Sequence, residues 1–364
     1  MGTLIMKRFL TSVAVIAIAA GSFSVPVFAA DAITVVSWGG AYTEAQKKAF
    51  YEPFTKATGI AVNSVDYNGG LGQIKAQVEA KNVTWDVVVG EKALAETGCF
   101  DNILEKQDAS KLPAAKDGTP ATKDFIAGTI ADCGIGSVIW STALAYNKSK
   151  LADGPKTIAD FFDLKKFPGK RGLRKSADVN LEWALLADGV PASDVHKVLQ
   201  TKEGVDRAFA KLDTIKSSVV WWEAGSQPPQ LLADGEVVMT SAYSSRIFNA
   251  INDEKQPFSI VWDGQVWDRD VWMIPKGTPR LEAATKFVNF VSETAQQAAI
   301  TNSSSYGPVR NSAIALIGKN DKTGVDMKEF VPTAHLENAI ESDSEFWSTY
   351  RDELFARFNS WLAK

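Results

Sequence analysis

Eleven tryptophans stand out in this chain of 364 residues, and Trp38, Trp221, Trp222, Trp262, Trp267 and Trp272 fall near predicted strand ends or in loops. Aromatic faces attract cations and pack on the methylenes of an amine, each good contact contributing about 0.5–2 kcal/mol. Trp38 is the best placed, because it ends the first predicted strand beside Gly39-Gly40, where backbone N–H groups can face a cleft. Tyr42 follows one helical turn on. Most tryptophans are packing residues, and at least half of these are expected to be so. A second group of interest is Met239–Arg246, which sets one arginine at the end of an apolar and small-residue run. A third is Trp267-Asp268-Arg269-Asp270, which interrupts an apolar β segment. Flanked by Val266, Val271, Trp272 and Met273, Asp270 is expected to be partly buried, and a buried charge needs a partner. That partner is either Arg246 or Arg269, holding the fold, or the amine of a ligand. In WWEAGSQPPQLL, Ser226 and Gln227 at a helix start offer polar contacts and Trp222 a wall; a capped helix with packed aromatics reads equally well.

Other chemistries lack their residues. His196 and His335 are isolated in polar helical contexts, with no second His or Cys at metal-ligand spacing. No GxSxG nucleophile elbow occurs, and Ser303-Ser304-Ser305 reads as a loop. Gly69-Gly70-Leu71-Gly72 precedes a predicted helix but lacks the Lys and Ser/Thr of a phosphate loop, so it reads as a flexible turn. Seven scattered tyrosines with no adjacent pair do not make an iron carrier. No catalytic residue, metal site or cofactor is therefore expected, and a secreted enzyme with an unmarked carboxylate pair remains the competing class.

The N-terminus reads as an address. Lys7-Arg8 precede an apolar run from Phe9 to Ala20 and a small-residue exit at Val27-Phe28-Ala29-Ala30, the layout of a secretory signal peptide cleaved after about Ala29. The run is shorter than the ~20 apolar residues a bilayer requires. Losing Lys7 and Arg8 moves the formal charge from −4 to −6, a poor match for nucleic acid or an anionic membrane. About 335 residues remain, enough for two domains. In an oxidising compartment Cys99 and Cys133 can form a disulfide; two buried thiols are the alternative.

These residues need elements to position them. Strand ITVVSW, a helix from Thr43 to about Thr58, a strand Ile60–Tyr67, a helix near Leu71–Ala80 and a strand Trp85–Val89 predict an α/β lobe with a largely parallel sheet. Its ligand edge lies where strands end and helices begin. A long strand Ile135–Tyr146 leaves this lobe, strands and helices alternate again from Thr157 to Met239, and a β segment Ile260–Ile274 follows. Periodic helices close the chain at Leu281–Val291 and Glu345–Leu362. Lobe one is thus expected over 31–144 and 269–315, lobe two over 145–268 and 316–364, with more than one chain crossing, which suits hinge closure on a ligand.

The segments VVSWGGAYTEAQKKAFYEPFTKATGI, TWDVVVG, VIWSTALAYN, LLADGEVVMTSAYSSRIF, WDRDVWMIPKGT and SSYGPVRNSAI resemble, in order and spacing, the periplasmic substrate-binding proteins of polyamine-type ABC importers. The resemblance implies two α/β lobes, a ligand closed between them, a monomer, and docking to an inner-membrane permease. In such binders an aromatic box holds a methylene chain and carboxylates hold the amines. It places ligand contacts at Trp38, at Tyr243, at Asp270 with Trp267 nearby, and at Tyr306; the backbone of Gly39, read above beside Trp38, is a further candidate contact. One departure is informative: the family's second acidic cluster falls on Arg174-Lys175-Ser176-Ala177-Asp178-Val179, which begins with two cations. Arg246, three residues after Tyr243, suits a carboxylate through a two-pronged hydrogen bond. The expected ligand is then a zwitterion such as γ-aminobutyrate, a related ω-amino acid or a small betaine, with spermidine or putrescine as the alternative.

Overall fold

The computed structural model describes Met1, residues 32–320 and residues 322–364; the signal peptide expected at the N-terminus lies outside these residues. Ten strands form one sheet: β1 Ala32–Ser37, β2 Ala61–Asp66, β3 Val87–Glu91, β4 Ile130–Ala131, β5 Gly134–Asn147, β6 Arg171–Arg174, β7 Val219–Trp222, β8 Met239–Tyr243, β9 Phe258–Met273 and β10 Ile340–Glu341. The order is β2-β1-β3-β9-β5-β8-β6-β7, with β10 on β9 and β4 on β5. Within each end of the sheet three strands run parallel: β2, β1 and β3 at one, β7, β6 and β8 at the other. The expectation of largely parallel pairing fails in the middle, where β9 lies antiparallel to β3, and β5 antiparallel to both β8 and β9. The reason is topological, since β5 and β9 pass from one end to the other and must enter each from the opposite side.

Helices cover the sheet in separate groups and divide the core. One apolar cluster joins Ile33, Val35, Phe50 and Phe54 to Ile139 of β5 and Trp267 and Trp272 of β9. Another joins Leu144 of β5 and Val266 of β9 to Trp183, Phe209, Phe346 and Phe358. The two cores therefore part between Ile139 and Leu144 on one strand and between Val266 and Trp267 on the other.

Three pieces position the site. After Trp38 the chain turns at Gly39 (φ +76) into a helix spanning 40–58, which widens into a π turn over Lys47–Tyr51. It ends on Gly59, left-handed at φ +76, whose N–H returns to Thr55 O at 2.8 Å, the usual glycine stop. The helix Lys92–Phe100 leads from β3, and its last turn is tied by a disulfide from Cys99 to Cys133, with Cα atoms 5.6 Å apart. The C-terminal helix Ser344–Leu362, capped by Asp343 accepting from Phe346 N at 2.9 Å, buries Phe346, Trp347, Leu354 and Phe358 in the second core. It then reaches across to the helix Lys92–Phe100 of the first lobe.

Candidate functional site

A cavity of about 720 Å³ opens between the lobes. Its first-lobe wall is built where strands end: Trp38 after β1, Tyr67 and Gly69 after β2, Glu91 closing β3, and Asp270 on β9. The second-lobe wall is made the same way, from Arg174 at the end of β6, Tyr243 at the end of β8, and Arg246 one turn into the helix Ser244–Asn252. Ligands of open α/β sheets sit at such strand ends.

Asp270 is the centre of the first wall. It is 4% exposed, and its carboxylate accepts from Trp38 Nε1 at 2.9 Å and from Trp140 Nε1 at 3.2 Å. Burial, and then the neighbouring Glu91, push its pKa up to about 7, while the indole of Trp38 pulls the other way. Neither arginine weighed from the sequence pairs with it. Arg269 points off to Glu341 and lies over the Trp267 ring, 4.8 Å from its centroid. Arg246 makes no ion pair or hydrogen bond among the described residues. It approaches the other lobe at Gly40, where a Cβ would sit 3.7 Å from Nη1. Among the described residues, the counter-charge that a buried carboxylate calls for is thus absent around Asp270.

Aromatic rings line the space between Asp270 and the arginines. Trp38 leans on Tyr67 (centroids 5.1 Å apart), Trp140 meets Tyr243 edge-on at 5.8 Å, and Tyr42 meets Tyr306 edge-on at 4.7 Å. Two glycines give these rings their seats. A Cβ on Gly69 (φ +85) would stand 2.7 Å from the Trp38 ring, and one on Gly225 would stand 2.8 Å from that of Tyr243. The lobes also touch through Ser245 Oγ, which donates to Tyr306 Oη at 3.1 Å. Counting formal charges on the wall, Glu91, Glu223 and Asp270 face Arg174, Arg246 and Arg351, so the cavity is neutral overall.

Of the residues singled out from the sequence, the cavity brings together Trp38, Tyr243, Arg246, Asp270 and Tyr306. Four others stand outside its lining. Gly39 is buried, and its N–H is occupied by Thr43 Oγ1 at 2.9 Å. Trp222, 1% exposed, packs behind Tyr243 with centroids 6.0 Å apart. Ser226 is exposed and caps nothing with its side chain. Trp267 lies three residues before Asp270, an odd offset that turns it to the opposite face of the strand, where Arg269 covers it. The sequence reading missed Trp140, Glu91 and, from the C-terminal helix, Trp347 and Arg351, and noted Arg174 as a cation in place of an acid without assigning it a contact. Alternation gave no clean signal for Trp140, because the adjacent Val138 and Ile139 both lie in the first core, next to a register shift between Gly136 and Val138.

Two α/β lobes joined by crossing strands, with a neutral aromatic cleft between them, define a solute-binding protein. The chain belongs to the bacterial extracellular solute-binding protein family, whose model matches residues 49–329. The gamma-aminobutyric acid-binding protein of Pseudomonas aeruginosa is 44% identical over 336 residues, 92% of either chain. Among solved structures, the Atu4243 GABA receptor aligns with a TM-score of 0.77 at 33% identity, covering 92% of this chain and 98% of its own. MotA of A. tumefaciens B6, solved with glucopine, aligns with a TM-score of 0.77 at 31% identity over 91% and 99%. The spermidine/putrescine-binding periplasmic protein of Escherichia coli is more distant, 23% identical over 86% of this chain and 90% of its own.

Proposed function

We propose that this protein captures γ-aminobutyrate, or an ω-amino acid of similar length, in the periplasm and delivers it to the permease of an ABC importer. The observation that carries the reading is the opposition of an unpaired carboxylate, Asp270, to an unpaired guanidinium, Arg246, across a neutral aromatic cavity. The ligand ammonium meets Asp270, its methylenes run between Trp38, Trp140 and Tyr243, and its carboxylate meets Arg246 with Arg174 beside it. Because Asp270 belongs to one lobe and the arginines to the other, a zwitterion bridges both and favours the closed form by its differential contacts. The wall is neutral as it stands, so a zwitterion leaves it neutral, whereas a dication adds two uncompensated positive charges. The disulfide accords with an oxidising compartment, and the 44% identical relative named for this ligand supports its choice.

Calorimetric titration with γ-aminobutyrate, putrescine, spermidine, proline and glycine betaine tests the reading. Heat is expected for γ-aminobutyrate and its homologues, and Arg246→Ala should abolish it. Binding of the polyamines alone would overturn the assignment of Arg246.

A further inference from the structure

A second cavity, of about 680 Å³, lies between the 40–58 helix and helix Thr294–Ser304 of one lobe and helix Ser244–Asn252 of the other. It shares Ser245, Arg246 and Tyr306 with the ligand cavity and no other lining residue. These three side chains form the partition between two chambers. Two of them are joined only by the Ser245–Tyr306 hydrogen bond of 3.1 Å, and the third, Arg246, is unpaired among the described residues and presents to both sides.

The chemistry of the second chamber is one-sided. Its acidic residues are already neutralised, Glu44 by Lys47 at 2.8 Å and Asp253 by Lys322 at 2.6 Å. Lys48 and Asn249 make no side-chain hydrogen bond or ion pair among the described residues, and both line the chamber. The charges left over, Lys48 and Arg246, are positive. Alanines give the wall its room: Ala41 and Ala45 from one helix, Ala295 and Ala299 from another. A four-carbon zwitterion held between Asp270 and Arg246 ends at the partition. The room for a longer one lies on the far side of these three side chains.

We propose that this chamber is an extension subsite for ω-amino acids lengthened at the carboxyl end through an amide. This rests on the ω-amino acid reading above. The ammonium stays at Asp270, the amide lies beside Arg246 and the Ser245–Tyr306 pair, and the terminal carboxylate meets Lys48 and Asn249. The protein then accepts γ-aminobutyryl amides of amino acids as well as the free acid.

The test compares γ-aminobutyrate with γ-aminobutyrylglycine by calorimetry on the unmodified protein and on two variants. Ala299→Trp fills the chamber from an exposed position of its wall, away from the ligand cavity. Lys48→Gln removes the terminal cation. The unmodified protein should bind both compounds. Either variant should weaken γ-aminobutyrylglycine by about tenfold or more while leaving γ-aminobutyrate within about twofold. Binding of γ-aminobutyrate alone by the unmodified protein, or equal affinities retained by both variants, overturns the subsite and leaves the ω-amino acid reading intact. Binding of neither compound overturns that reading, and the subsite with it. Should Ala299→Trp lose both ligands, Lys48→Gln decides: an unchanged ratio of affinities sinks the proposal.

Discussion

At the scale of single residues, Asp270 is a carboxyl group kept in reserve. Water is largely excluded from it, Glu91 lies across the strand pair, and its pKa is pushed up to about 7. An arriving ammonium needs the ionised form, so below that pH each bound ligand must first expel a proton. Affinity is therefore expected to fall by about tenfold for each pH unit below 7 and to level off above it, which titrations from pH 5 to pH 9 will trace. Asp270→Asn should remove this dependence and weaken binding by about 2–5 kcal/mol, because the ammonium then enters a dry site without a counter-charge. Arg246 and Asp270 were visible in the sequence as charges set into apolar surroundings. Arg174 was visible only as a cation in place of an expected acid, and Glu91 was not visible, because it ends a strand whose partner Asp270 is far away in the chain. Trp222 misled by its type: a tryptophan beside a strand end more often supports the wall than forms it.

Among elements, those with strong local signals were the most legible. The helix Leu281–Val291 has its predicted bounds, since four apolar residues at helical spacing, Ala284, Phe287, Val288 and Val291, face one core. The long β5 and β9 were recognisable from their apolar runs, but their antiparallel placement depends on pairings that no local pattern encodes. The rim helix Lys92–Phe100 is the element on which the disulfide acts. A bridge closing a loop across 34 positions is expected to contribute about 3–4 kcal/mol by restricting the unfolded chain. Replacing both cysteines by alanine should lower the denaturation midpoint in urea accordingly. Ligand affinity should drop less, since Cys99 and Cys133 do not line the cavity.

For the whole molecule, the lobes are linked by two strands rather than by a loose tether. The pairing of β5 with β9 shifts register between Thr142 and Leu144, close to where the cores part. Bending is expected there, since an interrupted ladder yields more easily than a continuous one. Small-angle scattering should show the radius of gyration fall on addition of γ-aminobutyrate and stay unchanged with Arg246→Ala.

The same crossing strands decide when the chain can take shape. Val88 of β3 pairs with Met273 of β9, so the first lobe has no finished sheet until nearly three quarters of the polypeptide exists. Such distant pairings are reached slowly, because a long loop must close before any contact rewards it. A fragment ending at residue 257 should lack cooperative unfolding and be cut rapidly by protease, although it holds most of the first lobe. A delay of this kind leaves the chain pliable while its first 257 residues are made, and the sheet of the first lobe closes only when β9 has followed.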